Sequence, residues 1–197
     1  MRTILSKSIG LSLTLIVLIS VVSFAASDPQ VKISEVAWSG TRASWGDEWI
    51  ELHNTTEKKL ELSGWKIAWD DAEIFLGSEK ANTVQVINSY LPPQGVILLE
   101  RTDDETVATV DADILYTGGL PNSGTRVVLV NPDGQEVQVI SASDGWPAGT
   151  SSAGEPRNAS MELVNGNWKT HNEAGDEQDK NGDPIFGSPG KLVDDLS

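Results

Sequence analysis

The sequence predicts an all-β protein, built as an antiparallel β-sandwich and preceded by a signal peptide. Three observations support this prediction: short runs that alternate apolar and polar residues, turn-forming Pro, Gly and Asn between the runs, and the lack of a sustained apolar repeat at helical spacing. A strand sends successive side chains to opposite faces, so such runs indicate strands with one buried face. Several of them in series are typical of a sandwich.

The first 26 residues have the three parts of a secretory signal peptide. Arg2 and Lys7 precede an uncharged stretch, residues 8–27, whose apolar part is 9–22, and Ser23-Phe24-Ala25 offers small residues for cleavage. We predict that 1–26 is removed and that the protein is secreted or held at the cell surface. The alternative is an uncleaved anchor, for which the stretch is near the minimum length that crosses a bilayer.

The predicted strands follow in chain order at 31–33, 49–52, 65–69, 83–87, 96–99, 126–130 and 136–140. In WIEL (49–52), Ile50 and Leu52 share one face and are expected to be buried, whereas Glu51 on the other face is expected to be exposed. Trp65 and Trp69 alternate around an Ile in the next strand and are expected in the core. The whole chain from 27 to 191 is predicted to be one domain, followed by a tail at 192–197.

NPDGQE (131–136) separates the last two predicted strands and has the composition of a tight turn. Pro132 presets its own φ for a corner position, and Gly134 adopts a positive φ without steric cost. The segment is therefore predicted to close an antiparallel hairpin.

Charge and cysteine content exclude several classes of function. The net charge is −15, and it becomes −17 when the signal peptide takes away two basic residues. Such an acidic protein repels phosphate backbones and anionic headgroups, so neither nucleic acid nor, after cleavage, a membrane is an expected partner. The chain has no cysteine, which excludes disulfides, thiolate metal sites and a lipid-modified cysteine.

Taken in order, these segments resemble the lamin tail domain family. The resemblance rests on ISEVAWSG, DEWIELHN, LELSGWKIAWD, LPPQGVILLE, LPNSGTRVVLVNPDGQEV, SMELVN and GSPG, which together span residues 31–190. It implies an immunoglobulin-like fold, in which Glu48 and Glu51 face water or a neighbouring loop, and a structural or binding role. The family also occurs in secreted bacterial proteins and has no established catalytic residues. Leu163 stands where the family usually has an Arg, so no role of that Arg carries over.

A catalytic function is not expected. Close pairs of acids that could act as acid and base occur at Glu48 with Glu51 and at Asp70 with Asp71, but 29 acidic residues produce such pairs by chance. The two histidines, His53 and His171, lie in no recognisable nucleophile motif. We expect His53 to be a cross-strand neighbour.

The acidic segment 170–184 is predicted to be a loop, or partly disordered, because it offers almost nothing to bury. It contains part of a calcium-loop pattern, with Glu177, Asp179, Asn181 and Asp183 as candidate ligands. Position twelve of the pattern is Ser188 where a bidentate Glu is usual, so a solvated acidic loop is the alternative. Calcium is the one cofactor that the sequence suggests.

Three tryptophans, Trp38, Trp45 and Trp146, lie in loop-like contexts beside Gly, Ser or Pro. A flat aromatic face can stack on a sugar ring, so they are candidate ligand-binding residues; the alternative is that they plug the ends of the sandwich. The sequence thus predicts a secreted, non-catalytic structural or adhesion module that binds an extracellular protein or polysaccharide. The other hypotheses are a carbohydrate-binding module and a calcium-dependent surface protein.

Overall fold

The computed structural model describes residues 29–192, and within that range the protein consists of strands and loops without a helix. The strands are, in chain order, β1 Val31–Ala37, β2 Trp49–Asn54, β3 Leu60–Glu61, β4 Lys66–Trp69, β5 Ala72–Phe75, β6 Thr83–Val86, β7 Tyr90–Leu91, β8 Val96–Arg101, β9 Ile114–Tyr116, β10 Arg126–Val130, β11 Glu136–Ser141, β12 Met161–Val164 and β13 Asn167–Thr170. The predicted signal peptide and most of the predicted tail lie outside the described residues. No helix in the described range is long and apolar enough to cross a membrane.

Two sheets form the sandwich. The larger has the order β13-β12-β1-β2-β8-β9-β6 and the smaller has the order β11-β10-β4-β5, while β3 and β7 form a separate short pair. The pairs are antiparallel except for β8 with β9, which is parallel. The predicted all-β, immunoglobulin-like sandwich is therefore confirmed. Strand β9 and its parallel pairing were not predicted.

The core lies between the two large sheets. Ile50 and Leu52 are fully buried in it, as the alternation in WIEL predicts. Trp65 and Trp69 are also buried in this cluster, which confirms their expected place. Because apolar burial contributes roughly 1.5–3 kcal/mol for each large side chain, this shared cluster is the main source of the fold's stability.

The hairpin at 131–136 forms between β10 and β11 as predicted. Gly134 has a φ of +80°, and its N–H donates to the Asn131 carbonyl at 2.9 Å. The Asn131 N–H in turn donates to the Gln135 carbonyl at 3.0 Å, which closes the turn.

A β-bulge in β1 changes which face its residues occupy. Ile33 pairs with Leu52, but Glu35 pairs with Glu51, so one extra residue is inserted between them. Ile33 therefore faces the core, whereas Glu35 and the residues in step with it face outward. The bulge places a carboxylate on the outer face of the large sheet.

The outer face of the large sheet is covered by the last part of the described chain. Ile185 is buried against Ala37, Trp49 and Leu98, which all project from that face. The predicted acidic loop itself buries no apolar side chain, but Ile185 directly after it supplies an apolar anchor. We call residues 171–192 the cover segment.

Candidate functional site: a carboxylate cluster beneath the cover segment

Three glutamates form a row across the outer face of the large sheet. Glu35 of β1 lies opposite Glu162 of β12 on one side and opposite Glu51 of β2 on the other. Glu35 and Glu51 are each only 1% exposed, and Glu162 is buried as well. The prediction that Glu51 is exposed is wrong. Alternation correctly predicts that Glu51 points away from the core, but the cover segment lies over it and excludes water.

The cover segment approaches this row through a glycine. A Cβ on Gly187 would lie 2.9 Å from Glu35 Oε1, 2.9 Å from the Trp49 ring and 3.0 Å from Ser160 Oγ. A side chain at this position would therefore force the segment or the sheet to move. Glycine at 187 allows the next residue to reach the carboxylates.

Each carboxylate accepts hydrogen bonds from nearby donors. Glu35 accepts from the Ser188 N–H at 3.0 Å, from the Ser188 hydroxyl at 2.7 Å and from the Ser160 hydroxyl. Glu51 accepts from the Ser34 hydroxyl at 2.8 Å and from the Gly190 N–H at 2.9 Å. The row thus fixes the cover segment in place, because buried polar groups need such partners.

His171 closes the row at the side of β12. It follows β13 directly, its Nδ1 contacts Glu162 Oε1, and its side chain is 19% exposed. Glu35, Glu162 and His171 bring one ligand atom each within 4.8 Å of one another, and among residues 29–192 this is the only such group of metal-binding side chains. The cluster is therefore a place in the described chain that could hold a metal ion.

Burial determines the protonation of the cluster. Burial, together with the neighbouring carboxylates, raises the pKa of Glu51 to about 9 and that of Glu35 to about 7. The hydrogen bond with Glu162 raises the pKa of His171. Near neutral pH the row thus retains protons that exposed carboxyls would have released.

The Ser188 hydroxyl lies between two carboxyls of the row. Its oxygen lies 2.7 Å from Glu35 Oε2 and 3.0 Å from Glu162 Oε1, yet a hydroxyl has one hydrogen to donate. It can satisfy both neighbours only if one of the two carboxyls carries a proton and donates to it. Without such a proton the hydroxyl donates to one carboxyl only, and Glu162 Oε1 still has its contact with His171 Nδ1.

Glu48, a buried carboxylate outside the row, supports the loop between β1 and β2. Glu48 accepts from the Leu120 N–H at 2.7 Å and from Arg101 Nη1 at 3.1 Å, and burial raises its pKa to about 7. The Arg101 guanidinium lies 5.3 Å from the ring centroid of Trp45. Glu48 was expected to face water or a neighbouring loop. It faces the loop that contains Leu120, and its carboxylate is buried.

The chain matches one known protein family. The model of the Lamin Tail Domain family matches residues 25–144, more than half of the chain. The protein belongs to the lamin tail domain family. No curated protein matches it. The match includes Glu35 and Glu51 but ends before Glu162, His171 and the rest of the cover segment, so this lamin tail domain completes its carboxylate row with residues from beyond the matched region.

The three candidate tryptophans of this lamin tail domain do not share one exposed face. Trp38 is buried and stacks on Trp146, with ring centroids 5.9 Å apart and planes 8° from parallel. Their indole N–H groups donate to the carbonyls of Ala148 and Pro121. Trp45 stands apart from this stack, and its side chain is 75% exposed. The stacked pair packs against the core, whereas Trp45 is open to a ligand.

The four candidate calcium ligands lie in one turn of the cover segment. Asp179 is buried and accepts from the backbone N–H groups of Ala43, Asn181 and Asp183 at 2.9, 2.9 and 3.1 Å. Glu177 pairs with Lys191 at 2.8 Å and accepts a hydrogen bond from Thr109. Asn181 is exposed and Asp183 is half-buried. The two most buried carboxylates are thus engaged with the chain, and calcium binding by the four remains a prediction.

The other candidates from the sequence are separate from the cluster. Asp70 is exposed and accepts from the Thr125 hydroxyl at 2.7 Å, and Asp71 is exposed beside it. His53 lies across from Lys32 in the β1–β2 pair, as expected of a cross-strand neighbour. Glu35 and Glu162 were not among the site residues predicted from the sequence. The available signal was a charged residue inside a mostly apolar strand, in SEVA and in MELV.

Proposed function

We propose that this lamin tail domain is an exported, non-catalytic adhesion module that binds an extracellular or cell-surface partner, and that Trp45 is its main contact. The observation that carries the proposal is the exposure of Trp45, the most exposed large apolar side chain in the part of the chain that the structure describes. Exposed aromatic residues held on ordered loops are the usual anchors of binding sites.

The loop that carries Trp45 is held firmly at its base. Asp47 accepts from the Thr41 hydroxyl at 3.0 Å and from Lys180 Nζ at 2.9 Å. The Thr41 N–H donates to the Ser44 carbonyl at 3.0 Å, and the Ala43 N–H donates to Asp179 in the cover segment. A loop ordered before binding loses little conformational entropy when a partner docks, which favours affinity.

Arg101 supports the Trp45 ring from one side, so one aromatic face remains for a partner. Such a face matches the C–H surface of a pyranose ring, and the polar residues around it match hydroxyl groups. Polysaccharide is therefore the partner class that we favour. Buried Glu48 supports a non-catalytic role, because its oxygens are engaged by the Leu120 N–H and by Arg101.

Sedimentation with insoluble cellulose, chitin and peptidoglycan tests this proposal. We expect the wild type to bind at least one of them, Trp45→Ala to lose about tenfold in affinity, equivalent to about 1.4 kcal/mol, and its melting temperature to stay unchanged. Tyr90→Ala is the matched control, because Tyr90 is also exposed and also has a cation, Lys59 Nζ, 3.9 Å from its ring centroid. Equal loss in both variants, or no binding of the wild type to any of the three, would refute the assignment. The intact mass of the exported protein tests removal of residues 1–26.

A further inference from the structure

We propose that Glu35, Glu162 and His171 form a binding site for a divalent transition-metal ion, with zinc as the best match. The site lies beneath the cover segment, on the outer face of the large sheet, and is separate from the Trp45 loop. The three residues come from β1, from β12 and from the position that follows β13. Their ligand atoms lie within 4.8 Å of one another.

The donor atoms select the class of metal. Two carboxylate oxygens and one imidazole nitrogen suit zinc, which binds both atom types at about 2.0–2.2 Å. Calcium and magnesium prefer oxygen atoms throughout and take six or more of them. A site of three protein ligands leaves a fourth tetrahedral position for water or for the Ser188 hydroxyl, which already contacts Glu35 and Glu162.

The charge of the row favours a cation. Glu35, Glu51 and Glu162 are buried side by side, and no ion pair joins any of them to a lysine or arginine within residues 29–192. The Ser188 hydroxyl lies between Glu35 and Glu162 and can donate to only one of them at a time. A zinc ion would neutralise two carboxylates at once.

A route to the site exists at His171. Its side chain is 19% exposed, whereas that of Glu162 beside it is 7% exposed. A metal ion can therefore reach the imidazole from water without separation of the two sheets. Once bound, it would tie β1 and β12 to the cover segment, and so would stabilise the part of the molecule that carries Ser188 and Gly190.

Calorimetric titration of the full chain with zinc, after treatment with a chelator, tests the site. We expect one zinc ion per chain, and we expect His171→Gln and Glu162→Gln each to weaken binding at least tenfold. His53→Gln is the matched control, since His53 is the other of the two histidines of the chain and lies outside the cluster. It should bind zinc as the wild type does.

Two further measurements separate ligation from a general loss of structure. Cobalt in place of zinc should give the visible absorption of a low-coordinate site in the wild type and in His53→Gln, and lose it in His171→Gln. Zinc affinity should rise from pH 6 to pH 8, because the metal displaces protons from its ligands. Circular dichroism should show that His171→Gln remains folded, and Glu162→Gln gives a second test if it does not. Absence of zinc binding at micromolar concentration, or equal affinity in wild type and His171→Gln, would overturn the proposal.

Discussion

On the inner face of the large sheet, Ile50 and Leu52 pack among apolar side chains of the opposite sheet, whereas on the outer face Glu35, Glu51 and Glu162 lie beneath a segment that contributes no strand. Both faces are buried, and alternate residues of the same strands contribute to each. The inner face is stabilised by apolar burial, which depends on area and little on direction. The outer face combines a smaller apolar cluster around Trp49 and Ile185 with hydrogen bonds to carboxylates, which depend on particular donors and on the charge of the row.

The difference implies that the two faces respond to different conditions. Apolar packing is insensitive to pH and to metal ions, so the inner face should remain intact wherever the domain is folded. The outer face holds carboxyls whose pKa values burial raises, so its stability depends on the protons or cations that it retains. A change of pH or of bound cation can therefore loosen the cover segment while the inner face stays folded.

The largest effect is expected from a cavity on the inner face. Leu52→Ala removes a fully buried side chain and should lower the free energy of unfolding by about 2–5 kcal/mol. Denaturation with urea measures this loss. Val139→Ala is the control, because Val139 lies on β11 and is 40% exposed. A loss from Leu52→Ala no greater than that of the control would contradict the inner-face assignment.

A change at Gly187 should act on the outer face alone. Gly187→Ala places a Cβ against Glu35, Ser160 and the Trp49 ring, and overpacking of this kind costs about 1–3 kcal/mol. The cover segment can relieve the contact by lifting from the sheet. Hydrogen exchange should therefore show lost protection at the Ser188 and Gly190 amides.

The same experiment should leave the inner face unchanged. The amides of Ile50 and Leu52 should retain their protection in Gly187→Ala, because their strand pairs are untouched. Gly46→Ala is the matched control: its Cβ would meet nothing closer than Ser44 Oγ at 3.5 Å. Loss of protection throughout the large sheet would mean that the two faces open together.

Stability should fall as pH rises from 5 to 9. Burial raises the pKa of Glu51 to about 9 and that of Glu35 to about 7, so the folded protein keeps protons that the unfolded chain releases above about pH 4.5. The stability that these groups contribute is present at pH 5 and is lost as pH passes each folded pKa. The raised pKa of His171, which faces them beside Glu162, has the same sign.

Urea denaturation at several pH values measures this dependence. The free energy of unfolding should be at least about 1.4 kcal/mol higher at pH 5.5 than at pH 8.5, the equivalent of one pKa unit. Glu51→Gln imitates the protonated carboxyl and should reduce the slope. Some slope should remain, because burial also raises the pKa of Glu48 to about 7 and that of Glu100 to about 8. A slope in Glu51→Gln equal to that of the wild type would place the titrating group elsewhere.

The arrangement of the inner face could be predicted from the sequence, whereas that of the outer face could not, because the first depends on local alternation and the second on distant contacts. Alternation within WIEL is local, and it correctly predicts that Ile50 and Leu52 point inward. It also gives the direction of Glu51. What covers Glu51 is Gly190, which lies 139 residues further along the chain, and no local pattern contains that contact.

The bulge in β1 likewise prevented local alternation from predicting the candidate site. A regular strand would place Ile33 and Glu35 on one face, so alternation alone would send Glu35 into the core with Ile33. The extra residue opposite Glu51 moves Glu35 to the outer face, where it meets Glu162. Nothing in VKISEVA marks the bulge, so the charged residue in SEVA could be noticed in the sequence but its place in the row could not be predicted.

Calcium at the acidic turn is the smallest effect that we predict, and it would act on the outer edge of the cover segment. Asp179 already accepts three backbone N–H groups, and a carboxylate has about four lone-pair positions, so it has about one left for a cation. Asp183 and the exposed Asn181 would have to supply much of the remainder. The affinity should therefore be near the weak extracellular range, with Kd of about 10⁻⁴–10⁻³ M.

Binding of that strength would stabilise the domain only slightly. At about 1 mM calcium, mass action would add about 0.4–1.4 kcal/mol to the free energy of unfolding, a rise of a few degrees in Tm. Magnesium should have a smaller effect, because it demands a stricter geometry. Asp183→Asn should remove the rise and leave the calcium-free Tm nearly unchanged, since the Asp183 N–H, which binds Asp179, is retained. If wild type and Asp183→Asn respond to calcium alike, the turn does not bind calcium and is held by its own hydrogen bonds.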